Sequence, residues 1–317
     1  MTRPAVSRAK PNTLTEDVVG NRFPLNPSVN RPNLTLEDVV GVEAGLAAER
    51  FCARKENLFI PYGAPAMYGG QTFTQAMCAA SLFVQKHAKK APSNMQISSV
   101  HGIFISGGLL KNGDVFYDVV PFKVGRQFII VTVTASQFVS NTRSSNGASS
   151  SSNAAASVPE VLKTRRKIFA ATVSFHAPTA DGMAMLTPMP PEARSLSSND
   201  VDQLPSLVDR LQEVIKKNPS MPASMQSHIK HVMSDMTPKF AEYRYVQKQD
   251  IPRDVYRRLY FMRIPPTATS NKGGAPFPGF RQMITAYLSD AGPVTLLFAP
   301  IFGEIDVWFE KIHFKFQ

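Results

Sequence analysis

Residues 68–84 read YGGQTFTQAMCAASLFV, and this stretch decides the fold of the chain. Its apolar side chains recur at intervals of three and four residues, which is the period of one helix face. Because some of them are alanines, strands can approach closely, so the pattern predicts a helix buried deeply against a sheet. The stripe consists of Phe73, Ala76, Met77, Ala80, Phe83 and Val84.

Segments with strand-like patterns flank this helix on both sides. The turn sequence Lys-Asn-Gly-Asp at 111–114 separates two of them, as in a hairpin. A strand, a central helix and then four hairpin-connected strands predict an α+β unit in which a curved antiparallel sheet wraps the helix. The strand-like segments are 47–60, 100–105, 115–120, 128–134 and 167–175.

Two segments have no hydrophobic period. Residues 1–35 are rich in Pro, Asn, Arg and Thr and predict a flexible N-terminal arm, with order beginning near Thr35. Residues 141–157, NTRSSNGASSSSNAAAS, predict a disordered insertion. Loop-closure entropy rises slowly with length, so a hairpin tolerates such an insertion and no domain boundary is needed. The first unit is therefore predicted to span 36–180.

The second half repeats the plan of the first without repeating its sequence. Residues 181–235 are predicted to form a helical linker, with an amphipathic helix over Leu204–Ile215 capped by Asn199-Asp200 and a second short helical stripe from Met225 to Met236. Residues 236–317 are predicted to form a second, incomplete unit around a helix at Phe280–Leu288. Its predicted strands are 240–246, 258–263, 294–298 and 307–316.

The composition describes a globular chain with a moderate positive charge. It is 43% apolar and 19% charged, which excludes a wholly disordered protein. The net charge is +11, but Lys and Arg are scattered rather than collected on one element with interleaved aromatic residues. We therefore expect no nucleic-acid partner and interpret the charge as suited to an acidic ligand, such as a phosphorylated cofactor.

Cysteines, histidines and apolar runs limit the site chemistry and the location. Only Cys52 and Cys78 are present, which excludes a disulfide framework and a cysteine-rich zinc module. His228 and His231 have no third ligand, so no metal site is predicted. With no apolar run long enough for a bilayer and no apolar leader, we expect a cytoplasmic protein.

Several motifs, in order, resemble the acyl-CoA thioesterase II (TesB-like) double-hotdog family. They are Tyr68-Gly-Gly-Gln71 at the helix start, His101-Gly-Ile-Phe104, Val115-Phe-Tyr-Asp-Val119, the strand and Ala-Pro exit at 167–178, and Tyr287-Leu-Ser-Asp290. The resemblance covers about residues 40–300. It implies two hotdog units side by side with continuous sheets, and an intracellular enzyme of lipid metabolism.

The resemblance also implies a reaction. Asp290 is the candidate catalytic residue, which activates a water with help from a Thr and a Gln on later strands. The water attacks the thioester carbonyl, and a free acid and coenzyme A leave. Coenzyme A enters as part of the substrate, so no separate cofactor is implied. The candidate substrate-binding residues are Tyr68, Gly69, Gly70, Gln71 and His101.

The residues themselves support this chemistry but leave alternatives open. A helix N-terminus preceded by Gly-Gly exposes N–H groups that can stabilise an oxyanion, yet the same glycines are also typical of a plain turn. Asp290 follows a helix and is also an ordinary helix-stop pattern with Gly292. His101 lies on an apolar strand, where a hydrogen-bonded core histidine is the alternative to a binding role.

The chain departs from the family pattern in three places. Ser106-Gly107-Gly108 replaces an Arg-Pro-Gly turn, and residues 128–132 lack an expected arginine, so a positive charge that binds the substrate is missing there. Only 27 residues follow Asp290, so the Thr matches only loosely, around 304–306, and the Gln has no counterpart. A truncated second unit leaves an open sheet edge, which predicts a homo-oligomer.

Two functions therefore compete. The first is hydrolysis of an acyl thioester with Asp290 as the base. The second is a diverged hotdog protein without the full hydrolytic triad, acting as a dehydratase, isomerase or cyclisation catalyst, or only binding a small molecule. A purely structural subunit is a third, weaker reading.

Overall fold

The computed structural model describes the two units unevenly. The segments predicted as an insertion, 141–157, and as C-terminal strands, 294–298 and 307–316, lie outside the described residues, as does the arm before residue 34. The described residues are 34–45, 49–60, 66–87, 92, 94–140, 163–177, 195–223, 226–227, 229–230, 242–245, 260–264 and 279–290.

The first helix begins where the sequence predicts order. Helix α1 spans Leu36–Val40, and Thr35 is its N-cap residue. The Thr35 hydroxyl accepts the Asp38 N–H while the Asp38 carboxylate accepts the Thr35 N–H at 2.9 Å, which completes a capping box. Leu36, Val39 and Val40 are buried, so this short helix is held mainly by packing.

Six strands form one antiparallel sheet in the order β1-β2-β4-β5-β6-β3. The four strands predicted after the helix are confirmed and are longer than their apolar cores. The predicted strand at 47–60 is shorter than expected, because a 3-10 turn at Lys55–Asn57 ends it. The strands are β1 Glu43–Ala44, β2 Arg50–Ala53, β3 Gln96–Phe104, β4 Val115–Val124, β5 Phe128–Ser140 and β6 Lys163–His176.

Helix α2, Gly69–His87, lies inside this sheet and packs against β2 to β6. Ala76, Ala79 and Ala80 are fully buried, so the small side chains let the strands approach as the stripe predicts. Large apolar residues from every long strand complete the core around the helix. The fold is therefore an α+β hotdog, and the predicted central helix is confirmed.

Buried polar side chains fix the helix within its sheet. The Gln75 amide donates to the Val39 carbonyl at 2.7 Å and accepts the Tyr117 hydroxyl at 2.7 Å. Complete burial raises the pKa of Tyr117 well above its ordinary value, so the hydroxyl stays a neutral donor. The buried Gln75 amide and Tyr117 hydroxyl thus satisfy each other, as burial of polar groups requires.

The linker differs from its prediction. Two helices replace the one predicted over 204–215: α3, Ser198–Gln203, capped by Ser197, and α4, Leu207–Lys217. Asn199-Asp200 is therefore not the cap of the long helix. Pro205 causes the break, because proline lacks an N–H and disfavours helical geometry in the residue before it.

The second unit is described in part and contacts the first. Strands β7, Glu242–Tyr245, and β8, Tyr260–Arg263, form a two-stranded ribbon, and helix α5 spans Phe280–Ser289. One face of α5 packs on α1, and Met283 lies against Met77 and Cys78 of α2. The architecture is a double hotdog with a complete first unit and a second unit described in part.

The domain limits 36–180, 181–235 and 236–317 remain predictions. None of the described helices is both long and apolar enough to cross a membrane.

Candidate active site

The two central helices pack side by side and antiparallel, so the N-terminus of α2 lies against the C-terminus of α5. The Gly70 N–H donates to Oδ2 of Asp290 at 2.7 Å. The Tyr68 hydroxyl donates to the Tyr287 carbonyl at 2.7 Å, and their two rings pack edge to face with centroids 5.0 Å apart. The fold thus joins two motifs that lie some 220 residues apart in the chain.

Close packing explains the two glycines at the start of α2. A Cβ atom at Gly70 would lie 2.8 Å from the Tyr287 carbonyl oxygen, and one at Gly69 would lie 2.9 Å from Oδ2 of Asp290. Any side chain there would push the helices apart. Gly69-Gly70 is therefore a site of close approach, and the plain-turn interpretation is wrong.

The electrostatic setting of Asp290 combines two helix ends. A carboxylate at the C-terminus of α5 is disfavoured by that helix dipole, whereas the N-terminus of α2 favours an anion. Because the Gly70 N–H donates to Oδ2, the Asp290 carboxylate lies at the N-terminus of α2, which favours its negative charge. Asp290 thereby serves as a distant N-cap for α2, because its oxygen accepts one of the first N–H groups, which have no acceptor inside the helix.

A pocket of about 310 Å³ lies beside this junction. Gly69 connects the two features, because it lines the pocket and directly precedes Gly70, whose N–H binds Asp290. The Asp290 side chain itself is not part of the pocket wall. The lining is mostly apolar, with hydroxyls from two residues, and consists of Ala66, Met67, Gly69, Thr72, Phe104, Ile105, Ser106, Gly107, Gly108 and Ile168.

A β-bulge shapes one wall of the pocket. Ala135 pairs with Phe169 and Ser136 pairs with Lys167, so Ile168 is left without a partner across the ladder. The Ile168 carbonyl instead accepts the Ile105 N–H at 2.9 Å. Bulges often redirect a side chain near a site, and this one places Ile168 in the pocket wall.

Gln71 is fully buried, and its amide serves the fold. Its Nε2 donates to the Val39 and Asn57 carbonyls at 2.9 and 2.7 Å, and its Oε1 accepts the Phe59 N–H at 2.7 Å. The side chain is thus fully occupied and does not line the pocket. What Gln71 offers a ligand is its backbone N–H in the first turn of α2, so a role in substrate binding rests on that group.

The structure does not bring His101 to this site. Gly102 and Phe104 of β3 face α2, since a Cβ on Gly102 would meet Phe169 and Phe73, and the Phe104 ring lies near Gly69. Alternate residues of a strand point to opposite faces, so His101 lies on the outer face of the sheet. It is exposed there, which overturns the core-histidine interpretation.

Sequence reasoning missed most of the pocket wall. The loop Ser106–Gly108 was interpreted only as a departure from a family pattern, although a glycine pair separated by two residues from the end of a strand is itself a signal of close approach. A Cβ at Gly108 would lie 2.8 Å from the Met67 sulfur, which shows how tightly this wall is built. Met67 and Ile168 carried no local signal.

Thiol and metal chemistry find little support among the described residues. Burial raises the pKa of the Cys52 thiol to about 11 and that of Cys78 to about 12, so neither forms a thiolate near neutral pH. The described residues contain no cluster of three potential metal ligands. The polar groups that the described residues bring to this site are the Asp290 carboxylate, the Thr72 and Ser106 hydroxyls and backbone N–H groups.

Comparison with solved structures gives several distant likenesses. The TesB protein of Mycobacterium avium subsp. paratuberculosis is 18% identical, with a TM-score of 0.46 over 84% of this chain and 72% of that one. An acyl-CoA thioesterase II from Mycobacterium marinum is 15% identical, with a TM-score of 0.48 over 84% and 71%. A hotdog-fold protein of unknown function from Alicyclobacillus acidocaldarius is 15% identical, with a TM-score of 0.47 over 80% and 68%.

No family model and no curated protein matches the chain. Likeness at these identities carries no information about activity, which depends on the residues of the site.

Proposed function

We propose that this chain hydrolyses an acyl thioester, with Asp290 as the general base. The observation that carries the proposal is the 2.7 Å hydrogen bond between the Gly70 N–H and Oδ2 of Asp290, beside an apolar pocket that shares Gly69 with this contact. A carboxylate held in one orientation next to a pocket is the arrangement that general-base catalysis requires.

The reaction follows from the two carboxylate oxygens. Gly70 holds Oδ2, whereas Oδ1 has no hydrogen-bond partner among the described residues. In the proposed step, Oδ1 takes a proton from a water, and the water oxygen bonds to the thioester carbonyl carbon. The carbon–sulfur bond then breaks, the thiolate sulfur receives the proton from Asp290, and a carboxylic acid and a thiol leave.

The N-terminus of α2 supplies a partial positive charge that complements the negative charge formed during the reaction. The first N–H groups of a helix have no acceptor within it, and Gly69 places this end of α2 in the pocket wall. In the proposed intermediate, negative charge on the former carbonyl oxygen is stabilised by these N–H groups and by the positive end of the helix dipole. The acyl group occupies the apolar pocket between Met67, Phe104 and Ile168.

The substrate is proposed to be an acyl-CoA or a related small thioester, with no separate cofactor or metal. A homo-oligomer is also proposed, because large apolar side chains are exposed on the sheet. Phe122 is 79% exposed and Ile103 is 71% exposed, and both belong to strands of the first unit. Exposed apolar groups of this kind are typical of surfaces that associate.

The direct test is a panel of acyl-CoAs of increasing chain length in heavy-oxygen water. We expect thiol release and one labelled oxygen in the released acid, because water is the nucleophile. Asp290→Asn is expected to lower turnover by about 10²–10⁴-fold. Glu49→Gln is the matched control. It changes an exposed carboxylate that is far from Asp290 in the sequence, and it should leave turnover unchanged. An inactive wild type would refute the proposal.

One observation favours a second candidate, a small-molecule binder or another hotdog catalyst without hydrolysis. Asp290 binds the Gly70 N–H beside the pocket but does not itself line the pocket. For a binder, acyl-CoAs would raise the melting temperature without thiol release. Mass spectrometry of the incubated thioester separates binding from dehydration, because dehydration removes the mass of a water from the acyl group. Chromatography of the recovered thioester separates binding from isomerisation, which leaves the mass unchanged.

A further inference from the structure

The pocket's outer rim is fixed to the hairpin of β5 and β6. The Ser106 hydroxyl donates to the Lys167 carbonyl at 2.9 Å. The buried Gln137 side chain accepts the Leu109 N–H at 2.8 Å and donates to the Gly113 carbonyl at 2.9 Å. The loop that lines the pocket is therefore held directly beside the first residues of β6.

Those residues are a basic run, Lys163-Thr-Arg-Arg-Lys167, and its two arginines have different surroundings. Arg165 is paired on the outer face: its guanidinium contacts Asp118, which Arg50 also contacts, at 2.8 Å and the Ser136 hydroxyl at 2.7 Å. It also stacks over the ring of Phe138, 5.6 Å from the centroid. Arg165 is thus fully engaged within the sheet.

The Arg166 side chain lies on the opposite face of the sheet from Arg165, and no described acidic residue pairs with its charge. It pairs in register with Gln137, and directly paired residues share a face of the sheet. Because Gln137 contacts the pocket loop, Arg166 lies on the pocket side of the sheet. It is exposed and makes no ion pair or hydrogen bond with any residue that the structure describes. Lys111, also exposed and unpaired among the described residues, adds a second positive charge on the same loop.

We infer that Arg166 binds the phosphate groups of a phosphorylated thiol carrier, such as the coenzyme A part of an acyl-CoA, at the rim of the pocket. This inference rests on the proposed function, since it places the thioester in the pocket and its carrier outside. The planar guanidinium donates paired hydrogen bonds to phosphate oxygens, a geometry that favours arginine over lysine. Phosphate binding at Arg166 would also place the acidic ligand that the net positive charge of the chain leads us to expect.

The test compares two thioesters of one acyl group, the CoA ester and the N-acetylcysteamine ester, which has no phosphate. Arg166→Ala is expected to lower the ratio of kcat/KM for the CoA ester over that for the other ester about tenfold, through KM. Raising the salt concentration should lower the wild-type ratio in the same direction. Arg126→Ala, at the exposed turn between β4 and β5, is the matched control and should keep the wild-type ratio.

The outcomes separate this inference from the proposed function. If the wild type hydrolyses both esters and Arg166→Ala leaves the ratio unchanged, the inference is overturned and the hydrolase stands. If the wild type hydrolyses neither ester, the proposed function fails, and calorimetry with free coenzyme A decides the inference. Binding weakened about tenfold by Arg166→Ala supports it, whereas no binding, or equal binding by both proteins, overturns it.

Discussion

Helices α2 and α5 are the central helices of the two units, yet the described contacts that hold them in place differ. Helix α2 is surrounded by its own sheet, with buried side chains around its whole circumference and two glutamines bonded to neighbouring backbone. The described contacts of α5 are instead mainly with other helices, through Ile284, Tyr287 and Leu288 against α1 and Met283 against α2. The first helix is fixed by its sheet, and the second is positioned by the first.

This difference shows how the candidate site is built. Asp290 ends the less enclosed helix, and its orientation comes from the N-terminus of the more enclosed one. A rigid element thereby orients a carboxylate supplied by a more peripheral element. The following changes test this division of roles, from the largest expected effect to the smallest.

The largest effect is expected for the buried amide of α2. Gln71→Ala leaves the Asn57 carbonyl and the Phe59 N–H without this partner, removes one of the two amide donors to the Val39 carbonyl, and opens a cavity. We expect a loss of about 3 kcal/mol in the free energy of unfolding, measured by urea titration. Gln282→Ala in α5, where the side chain is only half-buried, is the matched control and should change it by less than about 0.5 kcal/mol. Equal losses would show that the two helices are held alike.

An intermediate effect is expected where the helices touch. Gly70→Ala places a methyl group 2.8 Å from the Tyr287 carbonyl oxygen, so α5 must shift. Overpacking of this kind costs about 1–3 kcal/mol, and the shift also withdraws Asp290 from the Gly70 N–H. Thioester hydrolysis should therefore fall by more than the loss of folded protein explains. A variant with wild-type stability and activity would show that the two helices are not in contact.

The smallest effect concerns a thiol between the helices. Cys78 packs with Met77 and Met283, and burial raises its pKa to about 12. In the Cys52→Ser variant, we expect a thiol reagent in mildly alkaline buffer to label Cys78 only after denaturant is added. Rapid labelling under native conditions would reveal that α5 separates from α2, and would weaken the site as described.

The sequence allowed much of the first unit to be predicted, because its signals are local. The alanine-rich stripe of α2 and the apolar runs of β3 to β6 follow from side-chain period alone. Pro205 gave an equally local signal for the break between α3 and α4, but the periodic pattern on both sides obscured it.

The candidate site was predictable only at its two ends. Tyr68-Gly-Gly-Gln71 and Asp290 stood out as motifs, but their contact depends on tertiary packing between helices far apart in the chain. The sequence did not locate His101, because the alternation of side chains along a strand defines two faces without showing which face points towards the helix. That choice depends on Gly102 accommodating the ring of Phe169, which no single segment reveals. The uncompensated charge of Arg166 likewise depends on its register with Gln137.

The central claim is that Asp290 both caps α2 and acts as the base, and one paired measurement tests it. Thiol release and the free energy of unfolding are measured for the wild type, Asp290→Asn and Asp290→Ala. We expect both variants to lose about 10²–10⁴-fold in turnover, since neither side chain accepts a proton. The asparagine oxygen still caps the helix, so only alanine should lose stability, by about 0.5–2 kcal/mol. An Asp290→Asn protein that turns over like the wild type would contradict the account and leave Asp290 as a helix cap alone.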